Sequence, residues 1–287
     1  MLSTDGSTAP EHLMPVSGRL DFLFVERCRV GLEDGVPVVV SVVDDDEITT
    51  PIPAARLAVL MLGPGTSVTH GAIMALARMG CLLLWTGEQG VRIYAAGKPG
   101  GASGQHMQKQ ALALTDPVAR LAAARRLYKI MMGKDPPAGR SIDQLRGLEG
   151  VWVREKYTRL STEYGVDWRG RNPKISDQAN QAVSQSTSTL YGISEAVILA
   201  LGLSSAIGIV HTGSERSLVF DLADTVKFVT VVPVAFRVVA ENPGMFGRDL
   251  SGAVRRACRD LFVRERLLDR LVTICKHLVF GDALDCH

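Results

Sequence analysis

Residues 97–104, Gly-Lys-Pro-Gly-Gly-Ala-Ser-Gly, divide the chain into two stretches with different periodicities. Glycine and serine leave the backbone without a preferred conformation and proline removes a helical donor, so no regular element runs through this segment. Before it, short β-branched and apolar runs alternate with turn signals. After it, apolar residues recur at helical spacing nearly to the end. This break predicts an α+β protein: a small β-rich N-terminal domain over 18–96, a linker over 97–104 and a larger all-helical domain over 105–287. Residues 1–17 read as a disordered arm.

In the first stretch, Leu20–Glu26, Pro37–Val43, Arg56–Leu62, Cys81–Trp85 and Val91–Ala95 have strand character. Asp34-Gly35 reads as a hairpin turn, and Asp44–Glu47 as a solvated acidic turn. Thr69–Met79 has helix spacing. The expected arrangement is mainly antiparallel strands with one helix. In the second stretch, Pro117–Met132 places Leu121, Ala124, Leu127 and Met131 on one helical face. Ser141-Ile142-Asp143-Gln144 is a capping box opening a helix towards Tyr164. Helices are also expected from Asp177 onward, over Val231–Ala240, over Asp249–Phe262 and over Arg264–Phe280.

Net charge is +2 over 287 residues, so overall charge points to no nucleic acid or membrane partner. Five cysteines without paired CxxC spacing predict neither a zinc site nor a disulfide frame, and a reducing cytoplasmic compartment is expected. The first residues lack the basic and apolar regions of a signal peptide, and no run of apolar residues is long enough to span a membrane.

The segment Gly208–Phe228, GIVHTGSERSLVFDLADTVKF, carries the densest chemistry. An apolar run delivers His211 to a turn-rich stretch, after which Asp221 and Asp224 share one helical face. A helix starting near Asp221 would set that carboxylate at its positive end. One imidazole and two carboxylates suit magnesium or manganese. Equally, Asp221 could be an N-cap, Asp224 a solvated residue and His211 a loop residue. Glu149 is a further candidate ligand, because Leu145, Leu148, Val151, Trp152 and Val153 surround it with apolar surface. The structural alternative pairs it with Arg146 or Arg154, or turns it to water. Together these acids and His211 would form a site like those of metal-dependent nucleases and strand-transfer enzymes, with Lys227 able to hold a DNA phosphate.

RSIDQLRGLEGVWVREKY (140–157), STLYGISEAVILALGLSSAIGIVHTG (188–213) and SLVFDLADTVKFVTVVP (217–233) resemble the CRISPR-associated integrase family that inserts new spacers, in its subtype I-E branch. GPGTSVTHGAI (63–73), LLLWTGEQGVRIYAAGKPGG (82–101) and VRRACRDLF (254–262) extend the resemblance. It implies a divalent Mg2+ or Mn2+ held by Glu149, His211 and Asp224, with Asp221 assisting. It implies DNA contacts by Arg92, Lys227, Arg255 and Arg259, with Tyr191 near the site and His70 in a structural role. It implies a homodimer, a small ferredoxin-like CRISPR-associated partner, and a substrate of double-stranded DNA with single-stranded ends that is joined to CRISPR repeat DNA. Phe24 stands approximately where relatives stack an aromatic on the duplex end, Ser67 replaces a basic residue of some relatives, and the chain stops soon after Gly281. A nuclease acting on branched DNA or repair intermediates, and a non-catalytic DNA-binding scaffold, are the alternative functions.

Overall fold

The computed structural model describes residues 18–87, 93–97, 104–172 and 177–281. The expected arm, most of the expected linker, Arg92 and Cys286 lie outside the described residues. The chain begins with β1 (Leu20–Val25), β2 (Arg29–Glu33), β3 (Val36–Val43), β4 (Asp46–Pro51), β5 (Leu57–Leu62) and β6 (Ser67–Val68). Helix α1 (His70–Arg78), β7 (Leu82–Thr86) and β8 (Ile93–Gly97) follow.

β5, Leu-Ala-Val-Leu-Met-Leu, has no polar side chain and is buried along its whole length. Such a strand is stable only where both faces are covered. It lies inside a sheet of order β1-β5-β7-β8, in which β1 and β7 both run parallel to it and only β8 is antiparallel. The expectation of a mainly antiparallel domain is therefore corrected for this sheet. An uninterrupted apolar run, rather than alternation, is the pattern of a central parallel strand. The second sheet, β4-β3-β2-β6, is antiparallel through β2, β3 and β4. Asp34 and Gly35 turn its first hairpin with φ of 48° and 79°, and Asp44 and Asp45 turn the second with φ of 51° and 68°. Positive φ at both central residues matches the twist of the flanking strands. The acidic run is thus half turn and half strand: Asp46 and Glu47 open β4, an exposed strand that its polar composition hides from sequence reading.

The described helical part comprises α2 (Gly104–Thr115), α3 (Pro117–Met132), α4 (Ile142–Tyr164), α5 (Gln178–Ala200), α6 (Ser217–Asp224), α7 (Val231–Glu241), α8 (Gly247–Arg264) and α9 (Leu267–Phe280). Asp116 caps α3, Ser141 and Gln144 form the capping box of α4, and Asp177 caps α5. These local signals fix the helix starts where the sequence predicts them.

α5 is the axle of the helical part, touching α6, α7, α8, α9 and β5. It is buried on nearly every side, including Gln185, Ser186, Thr189 and Ser194. Gly192 permits the closest approach to the sheet, where an added Cβ would come within 3.2 Å of Leu84. Two apolar clusters result. Leu57, Leu60, Leu62 and Leu83 meet Val30, Ala72 and Leu76 on one side of the first sheet. Phe22, Val59, Met61, Leu82 and Leu84 join the core of the helices on the other. No described helix is long and apolar enough to cross a membrane. Cys28, Cys81, Cys258 and Cys275 are buried and free, and burial pushes the Cys81 thiol up to about 12.

Candidate functional site

His211 is delivered by an irregular segment between α5 and α6, and polar side chains of α2 and α3 hold that segment. Gln110, fully buried, donates to the carbonyls of Ser204 (2.9 Å) and Ile207 (2.8 Å) and accepts from the Ser204 amide (2.8 Å). Arg120 Nε donates to the Ile209 carbonyl at 2.8 Å. Gly208 is required at the bend. A Cβ there would collide with the His211 carbonyl and reach 2.6 Å from Ser217 Cβ and 2.9 Å from Asp221 Oδ2. Gly208→Ala is expected to destabilise the protein by about 3 kcal/mol, read as a lower urea midpoint at constant slope. An unchanged midpoint would show that the bend relaxes freely.

Asp221 lies in the middle of α6, not at its start, so the expected helix-dipole role is corrected. Its carboxylate is fully buried. It accepts from the backbone amides of Ile209, Val210 (3.2 Å) and His211 (3.0 Å). It also lies 2.8 Å from His211 Nδ1. With its lone pairs spent in this way, Asp221 is an orienter. It favours the Nδ1–H tautomer and leaves Nε2 as the nitrogen with a free lone pair. The Asp221 hydrogen bond raises the His211 pKa, burial opposes it, and the charges of Asp221, Asp224 and Glu149 add to the rise.

Glu149, on α4, accepts a 2.9 Å hydrogen bond from the Tyr128 hydroxyl of α3. Burial raises its pKa and the Asp224 charge adds to this, while Tyr128, His211 and Lys227 pull it back. Asp224 closes α6, and Lys227 Nζ lies 3.5 Å from its Oδ1. Burial is the largest influence on Lys227 and works against its charge, but Asp224 together with Tyr157 and Tyr191 outweighs it and the pKa moves up. Glu149, His211 and Asp224 are each half-buried, hence within reach of solvent and ligand. The charges of Asp224 and Glu149 both act on His211, and that of Asp224 acts on Glu149. As they lie, no three described His, Cys, Asp or Glu side chains are gathered closely enough to hold a metal ion. The donor chemistry nonetheless fits a hard divalent cation: two carboxylates and an imidazole already oriented from behind. A cleft of about 440 Å³ opens beside His211, lined by Arg120, Ser141, Asp143, Arg146 and Thr212.

Among the other expected residues, Tyr191 packs edge-on against Phe220 at 5.1 Å. Arg255 lies over the Phe24 ring at 3.9 Å, so the expected end-stacking aromatic and an expected DNA contact stack on each other here. Arg259 pairs with Asp260 at 3.0 Å on an exposed surface. His70 is the exposed first residue of α1. Sequence reasoning missed Tyr128 and Arg216. Tyr128 reads as one more core residue of α3, although a fully buried hydroxyl must find a partner. Nothing in the local sequence marks Arg216.

Fold and site together define an α+β protein with an acid–imidazole centre between its helices. The family model for CRISPR associated protein Cas1 matches residues 129–254. The CRISPR-associated endonuclease Cas1 of Geobacter sulfurreducens is 43% identical over 277 residues, covering 95% of this chain and 88% of that protein. Its namesake in Escherichia coli K12 is 42% identical over 275 residues, covering 94% and 88%. The crystal structure of a TtCas1–DNA complex superposes with a TM-score of 0.80 at 39% identity, covering 93% of this chain and 94% of that one. The chain belongs to the Cas1 family of CRISPR-associated endonucleases.

Proposed function

We propose that this chain is a metal-dependent DNA integrase and endonuclease of the subtype I-E branch, acting in the cytoplasm. It inserts short foreign DNA fragments as new spacers into a CRISPR array by transesterification. The observation that carries this reading is the buried Asp221 bonded to His211 Nδ1, with the charges of Asp224 and Glu149 also acting on that imidazole. The DNA complex of a 39% identical relative supports the choice of substrate.

In this reading Glu149, His211 Nε2 and Asp224 hold Mg2+ or Mn2+. When bound, the ion polarises the scissile phosphate and offsets the charge that builds up on it. Asp221 keeps the His211 proton on Nδ1. Tyr128 keeps one Glu149 oxygen facing α3. Lys227, Arg92, Arg255 and Arg259 meet the DNA backbone, and Tyr191 borders the reacting end. The chain works as a homodimer with the small ferredoxin-like partner, on double-stranded DNA with single-stranded ends and on CRISPR repeat DNA. Residues 18–96 and 105–287 act as its two domains, joined through 97–104.

The test combines the chain, the small partner, a duplex with 3′ single-stranded ends and a repeat-containing plasmid. Joined half-site products are expected with Mg2+ or Mn2+, are lost with a chelator and return when metal is restored. Cleavage of branched DNA without joining would favour the nuclease alternative. DNA binding without either activity would favour the scaffold.

Acid should weaken metal binding. A protonated imidazole cannot ligate, and Asp221 has raised the His211 pKa. The loss of Mn2+ affinity therefore begins above the reference value of about 6.5. In the metal-free chain the sign is opposite. The raised His211 pKa contributes stability that is complete below the unfolded value and is lost as pH rises through the folded one. Mn2+ should thus raise Tm more at pH 8 than at pH 6. Equal shifts at both values would argue against His211 as a ligand.

A further inference from the structure

Arg216 precedes α6, and its side chain lies between two helices. Nε is 3.5 Å from Glu195 Oε2 of α5, with side-chain exposures of only 18% and 10%. Its guanidinium carbon lies 5.4 Å from the centre of the Tyr191 ring and 5.6 Å from that of Phe220. Tyr191 and Glu195 are one turn apart on α5. Arg216 stands one turn before Phe220. The cation is therefore enclosed by two rings and one carboxylate. The Phe220 ring meets Tyr191 at 5.1 Å and the His211 ring at 5.6 Å, with an interplanar angle of 68° to the latter.

We propose that Arg216 is a positioning residue for His211, acting through Phe220. This rests on the function proposed above for His211 and adds a second support to it. Asp221 fixes the rotation of the imidazole through Nδ1, but a single hydrogen bond leaves the tilt of the ring free. The Phe220 ring limits that tilt, provided that Phe220 itself cannot move. Arg216 lies over Phe220 and Tyr191 together, where a weakly hydrated guanidinium is attracted to both ring faces. Glu195 supplies the counter-charge that lets the cation stay out of water. A tie between α5 and α6 alone would stabilise the fold without affecting the imidazole.

The test uses the full chain carrying Arg216→Met with Glu195→Gln, which removes both charges and avoids a stranded carboxylate. Arg216→Lys is the conservative variant. NMR of the metal-free protein reads the ring-current shift that Phe220 imposes on the His211 ring protons, and calorimetry reads Mn2+ affinity. In the folded double variant the His211 ring protons should lose that shift, and the Mn2+ Kd should rise roughly tenfold. Arg216→Lys, which keeps a cation over both rings, should stay within about threefold of the parent. Unchanged His211 shifts in the folded double variant would overturn the proposal. If that variant does not fold, Phe220→Leu keeps the ion pair and removes the ring. An unchanged Mn2+ Kd in Phe220→Leu, or unmoved His211 ring protons, would equally overturn it. Failure of the parent chain to bind Mn2+ would defeat the metal reading, while the ring signals would still decide the role of Arg216.

Discussion

Asp224→Ala is expected to lower DNA strand cleavage by roughly a thousandfold if Asp224 holds the metal as proposed, because loss of such a ligand would remove several kcal/mol of charge stabilisation from the reacting phosphate. The same substitution should also weaken the fold. Asp224 stands at the C-terminal end of α6, where the helix dipole disfavours a carboxylate, and Lys227 offsets that cost from 3.5 Å away. Without Asp224, an ammonium with only 16% of its side chain exposed loses its partner. The loss from breaking such a pair is about 3–5 kcal/mol. Asp224→Ala combined with Lys227→Met separates the two effects. The double variant should regain most of the stability and none of the cleavage. Recovery of cleavage alongside stability would mean that Asp224 serves only to neutralise Lys227.

Asp221→Ala should also be strongly destabilising. It leaves the amides of Ile209, Val210 and His211 without their acceptor. An unsatisfied buried donor costs about 1–3 kcal/mol, and water entering the vacated space returns part of it. A net loss of roughly 4 kcal/mol corresponds to a fall in Tm of about 10 °C for a chain of this size. The freed imidazole should also bind metal about ten to a hundred times more weakly. Asp221→Asn keeps the shape but turns one acceptor into a donor, so it should lose affinity with a smaller fall in Tm. Scanning calorimetry and metal titration read both quantities. A Tm within about two degrees of the parent in Asp221→Ala would show that the amide cluster does not hold the loop.

The helix starts were legible because caps are local chemistry. Ser141 and Asp177 stand where the sequence opens two helices, and the structure begins α4 and α5 directly after them; α3 begins at Pro117 as its spacing predicts, with Asp116 as a cap that the sequence reading did not use. The parallel β1-β5-β7 core was legible only in part, because an apolar hexapeptide reveals burial but not the direction of its neighbours. β4 was missed because Asp-Glu-Ile-Thr-Thr-Pro pairs along one edge of a sheet and buries nothing. For the site, the residue types and spacing of His211, Asp221 and Asp224 gave three candidates, the apolar neighbourhood of Glu149 gave the fourth, and the resemblance matched all four. Their division of labour was hidden. That Asp221 turns inward to three amides, while Asp224 faces Lys227, depends on the path of the loop before α6. That path is set by Gln110 and Arg120, about a hundred residues earlier in the chain.

The shared core also has a consequence for synthesis. Among the described residues, the face of the first sheet formed by Phe22, Val59, Met61, Leu82 and Leu84 is covered by helices made much later. While the ribosome is still building those helices, this greasy surface has nothing from its own chain to lie against. The emerging polypeptide is therefore a natural client for a chaperone until α5 and α8 arrive. Production of the N-terminal stretch by itself should yield aggregates.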